Sequence, residues 1–180
     1  MKNILKISKN DLDAIKKLDM KSPYIWLATW FGSGFMRPAP GTWGSLAALP
    51  FGMLLLATNS IPFMGISIIL ITVIGWKASH IFETQSQTHD SKMIVIDEVA
   101  GQWLAMMPLA ILPIADFRFF AAAILLSFIL FRFFDIVKIW PASYFDKKVQ
   151  GAFSVMADDI IAGIYAALIL SGIIFYAGSS

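Results

Sequence analysis

No charged residue interrupts residues 38–76. A membrane crossing takes about 20 apolar residues, so this run is too long for one helix. Thr58, Asn59, Ser60 and Pro62 break it in the middle with the residue types of a turn. The pattern predicts one helix at about residues 45–57 and a second at about 63–82. Residues 99–115 form the next uncharged stretch, in which Pro108 and Pro113 predict a kinked or short span. Residues 119–131 follow, bracketed by Arg118 and Arg132, whose long side chains can reach opposite interfaces. Residues 160–180 are uncharged and long enough to cross. Residues 24–36 are aromatic and Gly-containing, suited to lie in the interface or to re-enter the membrane. The expected fold is all-α: a polytopic membrane helix bundle of about five spans.

The first 21 residues differ. They mix Lys and Asp with scattered Ile and Leu and lack the continuous apolar core of a cleavable signal. They read as an amphipathic interfacial helix or as a solvated tail. This divides the chain into an N-terminal amphipathic segment, 1–22, and a single membrane-embedded domain, 23–180.

Alternating the predicted spans puts the N-terminal tail, the 83–98 loop and the 135–159 loop on one face. That face then holds every Lys and Arg except Arg118, which makes it cytoplasmic. Charge did not define the spans, so the agreement supports them. Asp90, Asp97, Glu98, Asp135, Asp146, Asp158 and Asp159 fall on the same face. Carboxylates at membrane depth are costly and mark function.

Composition fits this picture. The chain is 58% hydrophobic and 14% charged, against about 25% charged in soluble domains, and its mean hydropathy is +0.72. A net charge of +2 gives no argument for nucleic acid. The absence of Cys excludes a disulfide framework, a thiolate metal site and a cysteine nucleophile.

Candidate chemistry sits at the helix mouths. Asp97 and Glu98 open the third span in IVIDEVAGQW, and Asp158 and Asp159 open the fifth in MADDIIAGIY. Each pair suits a helix N-terminus, where negative charge is favoured, or the oxygen ligands of a hard cation such as Mg²⁺. Neighbouring helix residues point about 100° apart, so both members of a pair reach one ion only at a helix end. Each pair is followed by small residues, Ala100-Gly101 and Ala162-Gly163, that allow close helix approach. Two such helices in contact would crowd four carboxylates, and a divalent cation would relieve the repulsion.

Arg132, Asp135 and Lys138 follow at three-residue spacing in FRFFDIVKIWP. They make either a self-neutralising row at the interface or a phosphate site with a metal-binding aspartate. In RPAPGTWGSLAALP, Gly41 and Gly44 allow tight turns, and Thr42 or Ser45 can cap the following helix, whose amides offer an anion site. His89 and Asp90 precede the first acid pair; a loop histidine there is solvated or a phosphate contact.

Together GSGFMRPAPGTWGSLAALP, HDSKMIVIDEVAGQW, FRFFDIVKIWP and MADDIIAG, in this order and spacing, resemble the phosphatidylglycerophosphatase A family. The likeness runs from about residue 26 to 163. It implies a multi-pass enzyme of the bacterial inner membrane, with its site on the cytoplasmic face, that hydrolyses the terminal phosphate of phosphatidylglycerophosphate with Mg²⁺. Carried over by motif, Asp97, Glu98, Asp135, Asp158 and Asp159 are the catalytic acids, and Asp97, Glu98, Asp158 and Asp159 hold the metal. Arg132, Lys138, Gly41, Thr42, Ser45 and His89 surround the phosphate. One departure is visible: Ile139 stands where the family often has the first Pro of Lys-Pro-x-Pro, while Pro141 keeps the second. The attacking group, water or an aspartate, stays open. Rival readings lack their own signatures. There is no D-G-x-x-A-R motif of a CDP-alcohol phosphotransferase and no PSGH-like segment of a His-nucleophile phosphatase. A cation transporter would need acids spread through the bilayer, and here they stop at the interfaces.

Overall fold

The computed structural model describes residues 9–88, 91–111, 117–140 and 152–178. Among the described residues seven α-helices follow one another: α1 (Lys9–Lys17), α2 (Pro23–Ala28), α3 (Pro40–Leu56), α4 (Ile61–Ser86), α5 (Ile96–Met106), α6 (Phe117–Val137) and α7 (Ala152–Gly178). Short 3₁₀ turns lie at Ser33–Phe35 and Met107–Ile111. Among the described residues there is no strand.

Among the described residues three helices are long and apolar enough to cross a membrane: α4, α6 and α7. Their exposed faces carry Ile66, Ile69, Leu70, Leu125, Ile129 and Leu168, the side chains expected against lipid. The expectation of about five spans is met in part. α3 is apolar but has 17 residues. Of the 99–115 stretch, the described α-helix is α5, whose 11 residues reach about 16 Å at 1.5 Å per residue, against a core of about 30 Å; residues 112–115 lie outside the described residues. Pro108 ends the regular helix, because it removes the N–H that would bond Leu104.

The turn between α3 and α4 forms as expected. Asn59 takes a left-handed φ of 49°, and the Ser60 hydroxyl caps α4 by accepting from the Phe63 N–H at 3.3 Å. The start of α3 differs from expectation. Pro40, pre-set for a first helical turn, begins the helix five residues before Ser45. Ser45 is therefore not a cap; its hydroxyl bonds back to the Gly41 carbonyl at 2.9 Å. Gly41 and Gly44 are helical, not turn residues.

The shortest of the five helices α3–α7, α5, is also the most enclosed. It packs on α7 most extensively and also on α3, α4 and α6. A Cβ on Gly163 would lie 2.6 Å from the Gly101 carbonyl oxygen, and one on Gly101 would lie 2.6 Å from the Asp159 carbonyl oxygen. The small-residue pairs thus form the α5–α7 crossing that their spacing suggested. The aromatic segment after α2 clamps the approach to α5. The Val95 N–H donates to the Ala28 carbonyl at 2.9 Å, and Gly34 lies against the Met93 carbonyl with no room for a Cβ.

The N-terminal segment is helical at α1 and rests on α4. Ala14 and Leu18 are buried, and Lys17 donates to Gln87 at 2.8 Å. Asp11 pairs with Arg37 at 2.6 Å.

Candidate active site at the meeting of helix ends

The first turns of α3 and α5, the last turn of α6 and the second turn of α7 converge at one end of the bundle. α5 starts at Ile96, so Asp97 and Glu98 fall in its first turn. Packing of Gly101 on Gly163 then brings Asp159 beside them. One carboxylate oxygen from each of Asp97, Glu98 and Asp159 lies within 4.8 Å of the others. Asp97 and Asp159 are buried and Glu98 is nearly so. Asp97 accepts the Glu98 N–H at 3.0 Å, which fixes its carboxylate over the helix end.

Bases stand around this cluster. Arg132, at the end of α6, pairs with Asp135 at 2.6 Å and donates to the Ser45 hydroxyl at 3.4 Å. Its Nε is buried without a hydrogen-bond partner, as is Oε2 of Glu98. Gly41 explains how α3 comes so near: a Cβ there would collide with the Glu98 Oε1 and approach Arg132 Nη1 to 3.3 Å. Lys138 does not continue the helical row expected from its spacing. It takes a left-handed φ of 47° just past α6 and meets Asp158 at 2.7 Å.

Burial and crowding set the electrostatics. Burial, followed by the adjacent Glu98 charge, pushes the Asp97 carboxyl well above the usual range. Burial also pushes Glu98 up to about 8, with Asp159 and Asp135 adding to the rise and the bond to Asp97 and the Arg132 charge opposing it. Acids so placed retain protons until a cation replaces them. The donor set is all carboxylate oxygen, which suits a hard ion such as Mg²⁺. The unpartnered Glu98 Oε2 is an acceptor that such an ion would satisfy. The residues fit the metal.

Of the residues expected from the sequence, Asp97, Glu98 and Asp159 are brought together, with Arg132, Asp135, Gly41 and Ser45 in contact around them. Thr42 shares the first turn of α3. Asp158 turns toward Lys138, because α7 begins six residues earlier than its first acid and places this pair inside a helix, where neighbours diverge. His89 lies outside the described residues. Two participants carried no expectation. Phe131 is fully buried and packs on Gly101, and Gln102 donates to Ser127 at 3.3 Å one turn below Glu98. The four-residue spacing of Gln102 from Glu98 was the available signal.

The fold and site define a helical membrane protein with a buried cluster of carboxylates, able to hold a cation, where helix ends meet. Residues 26–174 match the phosphatidylglycerophosphatase A family. The chain is 37% identical to phosphatidylglycerophosphatase A of Haemophilus influenzae over 90% of its length and 95% of that protein. It is 36% identical to phosphatidylglycerophosphatase A of Escherichia coli over 92% of its length and 89% of that protein. A Bacteroides thetaiotaomicron protein named as a candidate phosphatidylinositol-3-phosphatase is 32% identical over 82% of the chain and 91% of that protein. No solved structure matches. The chain belongs to the phosphatidylglycerophosphatase A family and is a lipid phosphatase.

Proposed function

We propose that this enzyme hydrolyses the terminal phosphomonoester of phosphatidylglycerophosphate, giving phosphatidylglycerol and phosphate, in a Mg²⁺-dependent reaction. It does so at the cytoplasmic face of a bacterial inner membrane, within a single membrane-embedded domain, residues 23–180, that follows the amphipathic segment 1–22. The observation that carries the reading is the convergence of Asp97, Glu98 and Asp159 beside Arg132 and the first turn of α3.

Asp97, Glu98 and Asp159 would hold the cation, with Asp158 beside them paired to Lys138. When bound, Mg²⁺ neutralises the phosphomonoester and polarises its P–O bond. Arg132 supplies donors to the phosphate oxygens, and Asp135 fixes the plane of its guanidinium fork. Lys138 adds positive charge on the far side, and Thr42 and Ser45 line the α3 end of the pocket. Gly41, with no Cβ in the way, lets the first turn of α3 come up against the Glu98 carboxylate and Arg132, so its neighbours face the phosphate.

Phosphate release from the purified protein tests this. Phosphatidylglycerophosphate should release phosphate with Mg²⁺ and not after chelation; release indifferent to chelation would overturn the metal assignment. The Bacteroides relative motivates a second arm with phosphatidylinositol 3-phosphate. Faster turnover of that lipid would overturn the substrate assignment. Label found in an enzyme carboxylate after a single turnover in ¹⁸O-water would rule out direct attack by water, because it requires an aspartyl phosphate opened at its acyl carbon.

A further inference from the structure

α5 has 11 residues, about 16 Å or half the thickness of a membrane core, while α4 and α7, which pack against it, have 26 and 27. Below Met106 the chain turns away as the 3₁₀ segment Met107–Ile111, so among the described residues no full-length helix fills the space between them. The result is an apolar cavity of about 850 Å³ lined by Leu104, Met107, Ile111, Ile164, Leu168 and Phe175. Its polar lining residue, Ser171, spends its hydroxyl on the Ala167 carbonyl at 2.7 Å. The walls therefore recognise hydrocarbon, at a size common for small-ligand sites, about 300–1,000 Å³.

The depth is informative. Leu104 is seven residues past Asp97, and Ile164 is five past Asp159. At about 1.5 Å per helical residue the cavity begins roughly 8–10 Å beneath the carboxylates. Phe175 carries it to roughly 24 Å on the same scale, past the midplane of a core about 30 Å thick. One helix, α5, thus bears the acidic cluster at one end and the cavity wall at the other. A glycerolipid whose phosphate sits at the first has an acyl chain passing the second.

We propose that this cavity is an acyl-chain site and makes the enzyme select for long-chain lipids. The proposal rests on the lipid-phosphatase reading and adds the part of the substrate that the acidic centre cannot sense. Ala167→Phe and Ser171→Leu, one turn apart on the cavity face of α7, should fill it. For a C16–C18 substrate the KM should rise roughly tenfold, equivalent to about two methylenes denied burial. Turnover of the dihexanoyl substrate should be unchanged. Equal effects on both substrates, or on neither, would overturn the proposal. So would a changed oligomeric state without a chain-length effect, which would make the occupant a second copy. An activity-independent arm uses phosphatidylglycerophosphate carrying a mid-chain diazirine in vesicles. Labelling should concentrate on residues 164–175 in the natural protein and fall in Ala167→Phe; even labelling over the exposed faces of α4 and α6 would overturn the site. Failure of both wild-type substrates to release phosphate would strike the phosphatase reading, while the labelling pattern would still decide the cavity.

Discussion

Two short motifs, Asp97-Glu98 before Ala100-Gly101 and Asp158-Asp159 before Ala162-Gly163, look nearly interchangeable as strings. In the folded chain they are not. The first occupies the opening turn of α5, where side chains fan around the helix end, and both acids face the common centre. The second lies in the second turn of α7, where a 100° step separates neighbours. Asp159 joins the cluster and Asp158 meets Lys138. Position relative to the helix start, not the residue pair, decides how many carboxylates a motif delivers. The glycines do behave alike, because each serves the same helix crossing.

This difference can be tested by substitution. Asp97→Asn and Asp159→Asn should lower kcat by on the order of 10³-fold, the upper range for loss of one electrostatic stabiliser, with the protein still folded in detergent. Asp158→Asn should cost only about 10–100-fold, as expected of a residue that orients others. Equal losses at positions 158 and 159 would remove the distinction.

Gly163→Leu probes the shared crossing. A side chain driven into the Gly101 backbone should destabilise the fold by about 1–3 kcal/mol, seen as a lower Tm in detergent. Lys138→Met should destabilise by roughly the same amount by removing the cation paired with the buried Asp158 carboxylate, and Lys138→Met with Asp158→Asn should recover part of that loss. An additive double variant would mean that the pair is not coupled.

A pH series reads the crowding itself. Glu98 is held up at about 8 by burial and its acidic neighbours. In chelator its protonated form favours the folded state, a contribution present below the ordinary glutamate value and lost as pH rises toward 8. Tm without metal should therefore fall from pH 5 to 8, and saturating Mg²⁺ should flatten the trend. The smallest effect belongs to Asp11→Ala, which removes a partly exposed pair with Arg37; a change of about 1 kcal/mol or less is expected, with activity within about twofold.

By itself the chain's pattern determined a helical membrane protein, the turn at Thr58–Ser60, one acid-rich face and the residues that could serve there. Those features follow from local hydropathy, Pro and Gly placement and charge, all written along the chain. Pro108 also marked a short or kinked helix after residue 99, but the pattern did not determine which neighbours would enclose it, since periodicity marks apolar content and not tertiary partners. Nor did it show that Gly41 admits Glu98, that Lys138 leaves the row of Arg132 and Asp135, or that a cavity opens below Met106. Each of these depends on contacts between residues far apart in sequence, and only the assembled helices decide them.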